Sequence, residues 1–235
     1  MNTSSRRTSF FVVVTVMVAW LVEGLAGTAV AARDELPEVS SDGLHLIKGS
    51  KVRIAYAKPG ATLTQFHKVI ILDCYVDFVE DWQRDYNMNE VGLSGRVSDK
   101  DAERIKKDLG EEFKKVFSEQ LAKKGYEVVE EAGPDVLVLR PALVNVDVVA
   151  PDIARSGRSR TWIESAGGMT LFLELYDSTS GTLLARVIDP QADRSSFPQQ
   201  ASRVTNKAAA DRILRGWADL LATRLGEINS EIPGN

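Results

Sequence analysis

A chain of 235 residues with 44% apolar, 26% charged and 7% aromatic content has the composition of a folded globular protein, which excludes a disordered, collagen-like or polytopic membrane chain. Its formal charge of -4 argues against a nucleic-acid partner, because such binders need a basic surface to displace counterions from phosphate. One cysteine, Cys74, and two histidines, His45 and His67, allow no internal disulfide and leave too few soft ligands for zinc, so neither a metal nor another cofactor is expected.

Residues 1–32 have a basic start with Arg6 and Arg7, an apolar run from Phe10 to Leu21, and small residues from Thr28 to Ala32. This is the layout of a secretory signal peptide. The apolar run is shorter than a spanning helix needs, and Glu23 interrupts its continuation. Cleavage is expected near Ala31 or Ala32, leaving a periplasmic or secreted protein; the alternative is an inner-membrane anchor through residues 10–30. Cys74 is the only cysteine and lies well inside the mature chain, so it offers no lipid anchor.

From 33 to 66 the chain reads as an irregular arm punctuated by Pro37, Gly43, Gly49 and Pro59-Gly60, with one short strand between Val52 and Ala57. A single α/β domain is expected over 67–230, followed by a tail, 231–235. Lys68 to Val79 is β-branched and aromatic enough to be one strand. Strict alternation puts Ile70, Leu72, Cys74, Val76 and Phe78 on one face and Val69, Ile71, Asp73, Tyr75 and Asp77 on the other. Cys74 then belongs to an apolar row and packs as a small hydrophobe. A polar connector with Trp82 and Tyr86 leads to Ser98, which opens a helix with Asp101 placed for a capping box. Ile105, Leu109, Phe113, Val116, Phe117 and Leu121 give that helix one apolar stripe, and Lys124-Gly125 ends it.

Tyr126 to Val129 and Asp135 to Val148 read as strands. Pro141 should place the second at an edge or break it with a bend. Pro151 to Gly168 reads as a long loop carrying Arg155, Arg158, Arg160 and Trp162. Gly168–Asp177 and Thr182–Asp189 form a hairpin, with Met169, Leu171, Leu173 and Leu175 on its core face and Thr170, Phe172, Glu174 and Tyr176 on the other. A final helix covers about 202–229, with Val204, Ala208, Ile213, Trp217, Leu220, Leu221, Leu225 and Ile228 at helical spacing. The expected fold is an α/β (α+β) two-layer sandwich: a mixed sheet of about five strands with two long amphipathic helices packed on one face.

Asp42-Gly43-Leu44, Pro59-Gly60-Ala61 before Lys68-Val69-Ile70-Ile71, the run from Asp135 to Pro151 and the hairpin from Leu173 to Arg186 together resemble the bacterial family called domain of unknown function 3313. The resemblance covers about 42–228. It implies an exported envelope protein, often lipid-anchored, with no assigned activity and therefore no catalytic residues to carry over. The missing lipobox cysteine departs from that pattern.

Nucleophile elbows, phosphate loops, dinucleotide fingerprints, zinc-protease helices and calcium loops are absent from the sequence. Two features could bind a partner. One is the sheet face away from the helices, where Tyr75, Asp77, Phe172, Glu174, Tyr176 and Arg186 combine aromatic area with charge. The other is the segment with Arg155, Arg158, Arg160 and Trp162, whose guanidinium forks suit an anion. The expectation is an exported, non-enzymatic binding or assembly module whose partner is an envelope protein or cell-wall component. An exported hydrolase of sugars or peptidoglycan and a membrane-anchored structural subunit are the alternatives. Nothing in the sequence sets the oligomeric state.

Overall fold

The structure is a computed structural model and describes residues 36–90, 95–148, 161–201 and 203–230, with side chains over 36–90, 95–148, 167–192 and 207–226. The leader falls outside the described residues. Strands β1 (His45–Leu46), β2 (Ile54–Ala57), β3 (Lys68–Ile71) and β4 (Tyr75–Phe78) precede helices α1 (Trp82–Asn89) and α2 (Asp99–Lys123). Strands β5 (Glu127–Val128), β6 (Val136–Val148), β7 (Thr161–Asp177) and β8 (Leu183–Ala201) follow, and α3 (Arg203–Ser230) ends the described chain.

These form one mixed sheet of eight strands in the order β1-β2-β8-β7-β6-β3-β5, with β4 also paired to β6. Strands β3 and β4 run parallel to β6, while β6, β7 and β8 form an antiparallel meander. The expected count of five strands is too low for two reasons. The segment before α1 is two strands, and the N-terminal stretch adds β1 and β2, the latter pairing with β8 through Ile54↔Ile188 and Tyr56↔Arg186. Pairings between segments so distant in sequence leave no local signal.

The break between β3 and β4 reverses the alternation expected of one continuous strand. Val69 and Ile71 face the core in β3, and Val76 does so in β4, with Phe78 packed beside it. Register against β6 shifts across the break, from Ile71↔Leu139 to Tyr75↔Ala142. It shifts again near Asn145, where φ is +50° and β6 bulges against both neighbours. Pro141 sits inside β6, an interior strand, and not at an edge. Leu139 accepts from Leu72 N–H on the β3/β4 side, so Pro141, two residues on, directs its missing donor at the interruption over Leu72, Asp73 and Cys74.

Helix α2 starts as its sequence indicates. Ser98 Oγ accepts from Asp101 N–H at 3.2 Å, and Asp101 accepts from Ser98 N–H at 3.2 Å. It ends in a Schellman pattern: Gly125 (φ +91°) donates to Ala122 and Tyr126 to Leu121. Phe113, Val116, Phe117 and Leu121 from α2 and Leu214, Trp217, Ala218, Ala222 and Leu225 from α3 are buried in one cluster with Leu137, Leu139, Leu143, Leu171, Leu173 and Leu175 of the sheet. Phe113 and Phe117 stack at 3.9 Å between ring centroids. The buried stripe of α3 is rotated from the expected one: Trp217 and Leu225 belong to it, but alanines at 218 and 222 replace Leu220 and Leu221 at the centre. Small residues let the helix approach α2 and the sheet closely. The Trp217 indole donates to the buried carboxylate of Asp189 at 2.7 Å, which also accepts from Arg53 N–H and Gln191. That carboxylate joins α3, β8 and the approach to β2.

Helix α1 lies in what reads as a polar connector. Its N-cap, Asp81, is left-handed (φ +59°) and makes no side-chain cap. Tertiary contacts hold it instead: Trp82 stacks on Phe78 at 4.0 Å, and its indole donates to Val148 O at 3.1 Å.

Candidate binding face

Alternation in β6 and β7 leaves one sheet face without α2 or α3 against it. Register arranges this face in rows. One row runs Tyr75, Ala142, Phe172, Ile188 and Ile54; the next runs Arg140, Glu174, Arg186 and Tyr56. Ile70 and Val138 extend it toward Tyr176.

The centre of the second row is a closed ionic cluster. Arg186 donates to Glu174 Oε1 through Nε at 2.9 Å and Nη2 at 2.7 Å. Tyr176 Oη donates to Oε2 at 2.7 Å, and Arg140 Nη1 reaches the same oxygen at 3.3 Å. Glu174 is only 5% exposed although it lies on the open face, because these three side chains cover it. Arg186 also pairs with Asp42 at 2.6 Å and stands 5.5 Å from the Phe172 ring centroid. Burial opposes the Arg186 charge, but its hydrogen bonds to Glu174 and Asp42 outweigh this and raise its pKa. Burial, reinforced by the bond to Glu174, raises that of the Tyr176 phenol.

Asp42 is delivered by a turn in which Gly43 (φ +76°) donates to Ser40 O. Leu44 is buried beside it, and Tyr56 donates to Pro37 O at 2.9 Å. The residues around 37–46 therefore lie over the β2–β8 side, while the β4–β6–β7 side stays open. Arg140 keeps donors free for solvent, with its side chain 65% exposed. Chemically, the cluster has both Glu174 oxygens engaged and the Arg186 fork closed, so it stiffens the face and leaves recognition to the groups around it.

Of the expected face residues, Phe172, Glu174, Tyr176 and Arg186 come together. Tyr75 lies on the same face but outside the cluster: it is 61% exposed, and its hydroxyl donates to Asp77 at 3.3 Å. Arg140 and Asp42 complete the cluster and were not singled out by sequence. Arg140 was findable, as the one charged residue in the apolar run 136–144 and on its non-core parity; Asp42 has no such signal. Arg155, Arg158 and Arg160 lie outside the described residues. Trp162 belongs to β7, paired with Gln200, so the expected loop ends before Thr161. Asp73 and Asp77 each pair with a lysine of α2. Lys114 binds the first at 3.3 Å and Lys106 the second at 3.0 Å; hydrogen bonding to Lys106 lowers the Asp77 pKa despite some desolvation. Among the described residues no group of three His, Cys, Asp or Glu could hold a metal. None of the described helices is long and apolar enough to cross a membrane.

Solved structures to which the chain is distantly similar include protein XCC0632 from Xanthomonas campestris, at 14% identity and TM-score 0.41, over 75% of this chain and 94% of that one. The PelC dodecamer from Paraburkholderia phytofirmans gives 12% identity and TM-score 0.37, over 71% and 96%. Likeness this distant transfers no function. A search of curated proteins gave no match. The family described as protein of unknown function (DUF3313) matches residues 40–221, and with most of its length covered the chain belongs to that family.

Proposed function

We propose that this chain is an exported cell-envelope protein that acts by docking and not by turnover, holding an envelope protein or a cell-wall component against the open face of its sheet. One observation carries the reading. Tyr75 and Leu72 are exposed, and Phe172, Tyr176, Val138 and Ala142 are half-buried, on a face that α2 and α3 leave uncovered. Aromatic and aliphatic area beside a largely exposed arginine, here Arg140, is the composition of interface centres. The ionic cluster beneath fixes the backbone that presents them. Arg155, Arg158, Arg160 and Trp162, which precede or begin β7, are assigned to the same partner as an anion-reading element. The leader at 1–32 supports export.

Photoreactive benzoylphenylalanine at Tyr75 or Phe172 in the full chain, expressed in its native host, should crosslink a discrete partner, whereas the same probe at Lys107 on the outer side of α2 should not. Equal capture at all three positions, or none at the first two, rejects the docking face. N-terminal sequencing of the cell fractions tests export: a soluble extracytoplasmic form should begin at Ala32 or Arg33.

A further inference from the structure

The ionic row across the open face alternates in sign. From β6 through β8 it reads Arg140, Glu174 and Arg186, and Asp42 closes it on the far side of Arg186. Its charges balance, two of each sign, but its ends differ. At one end Asp42 lies against the Arg186 guanidinium. At the other end Arg140 has only the 3.3 Å contact to Glu174 Oε2, an oxygen that Tyr176 already holds at 2.7 Å. The next position in that direction is Leu72, exposed and apolar, just after β3. Along β6 the same-face neighbours of Arg140 are Val138 and Ala142, both half-buried. The row therefore stops on a cation, 65% exposed, within an apolar surround. A carboxylate brought from outside would continue the alternation and meet a planar guanidinium fork.

The width of the open area limits what can carry that carboxylate. Residues 37–46 lie over the β2–β8 side, where Tyr56 donates to Pro37 O. Three strands across remain open: β3 or β4, then β6, then β7. At a strand spacing of about 4.8 Å they span about 10 Å, the breadth of one α-helix. A helix on a sheet buries a single apolar stripe, and Tyr75 and Leu72 at one border with Phe172 at the other offer it aromatic and aliphatic contact.

We infer that the open face takes an amphipathic helix of another envelope protein, laid beside residues 37–46 with an Asp or Glu of its apolar stripe on Arg140. This rests on the docking role and names its partner.

The test places benzoylphenylalanine at Phe172 of the full chain in its native host and locates the captured peptide by mass spectrometry. That peptide should show apolar residues at helical spacing with an acid among them. Arg140→Glu should cut the crosslink yield about tenfold or more. Arg140→Lys should cut it roughly two- to threefold, because an ammonium lacks the planar fork. Lys107→Glu, the same change of charge on the outer side of α2, should leave it unchanged. Replacing the located acid of the partner by arginine should restore the yield in Arg140→Glu. If Arg140→Glu fails to fold, Arg140→Gln decides, with an expected loss of about fivefold. Absence of a crosslink in the chain with Arg140 intact rejects the docking role itself. An undiminished crosslink in the Arg140 variants, a captured segment without an acid or without helical spacing, or capture of a glycan leaves docking in place and overturns the helix.

Discussion

The guanidinium of Arg186 donates twice to one oxygen of Glu174, at 2.9 and 2.7 Å, on a sheet face that no long helix covers. Such an exposed position would usually make an ion pair weak. Here the Glu174 side chain is 7% exposed and that of Arg186 19%, so removing one partner strands the other in a poorly hydrated place. Arg186→Leu should therefore cost about 2–3 kcal/mol in urea unfolding. Arg140→Leu, which removes a longer contact from a largely exposed side chain, should cost under about 1 kcal/mol. Replacing Glu174 and Arg186 together by Met and Leu should recover part of the first loss. Equal costs for the two arginine variants would show that burial does not set the strength of this cluster.

Two kinds of helical glycine give opposite expectations. Gly110 in α2 passes so close to the β3–β4 break that an added Cβ would stand 3.1 Å from the Cys74 carbonyl oxygen. Gly216 and Gly226 in α3 have nothing within 4 Å. Alanine at either α3 position should stabilise by roughly 0.5–1 kcal/mol through helix propensity. Gly110→Ala gains the same propensity but must displace a backbone carbonyl, so it should come out net destabilising, by about 1 kcal/mol. Thermal melts of the three single variants check this, and a stabilised Gly110→Ala would mean that the helix does not rely on that close approach.

The hairpin and the two long helices were legible because each repeats one signal many times: alternation from Met169 to Tyr176, or helical spacing from Ile105 to Leu121. Phe172, Glu174 and Tyr176 were placed on one face by the same counting. What defeated it was single-residue irregularity. The break at Leu72–Cys74 turns β3 over relative to β4, so Val69 and Ile71 join Val76 in the core while Tyr75 stays on the open face. The expected hairpin strands stop at Gly168 and Asp189, yet β7 begins at Thr161 and β8 runs on to Ala201, with Gly167 lying against Asp147 at the bulge of β6. Helix α1 is short and polar, and it is held by Trp82 stacking on Phe78, which only the fold brings together.

Asp77 and Lys106 link β4 to α2 at 3.0 Å, and each shifts the other. Hydrogen bonding to Lys106 holds the Asp77 carboxyl below its ordinary 3.8, and the same bond raises Lys106 above 10.5. The carboxylate's contribution is present above pH 3.8 and is lost as pH falls through its lowered value. The ammonium's is present below pH 10.5 and is lost as pH rises through its raised value. The Asp77 side chain is 48% exposed, so solvent screening keeps the whole effect under about 1 kcal/mol. In Lys106→Met, the Asp77 carboxyl carbon should titrate closer to 3.8 by NMR, with stability at pH 7 reduced slightly. An unmoved Asp77 titration would place the origin of its shift in the Phe78 amide and Tyr75 hydroxyl instead.

Cys74 is half-buried, but its thiol is turned inward, where desolvation pushes its pKa up to about 12 against a smaller opposing effect of the Leu143 amide. The thiolate is the reactive form, so at pH 8 the folded protein holds only about one part in ten thousand of it, against roughly a quarter for a free cysteine with pKa near 8.5. Alkylation by iodoacetamide at pH 8 should then run at least about a thousandfold slower in the native protein than in guanidinium. Its rate should rise close to tenfold per pH unit up to the alkaline limit of folding. Rapid native labelling, or a rate that levels off near pH 9, would show that the thiol reaches solvent and that the strand break opens, contradicting a role for Cys74 as packing beneath Gly110.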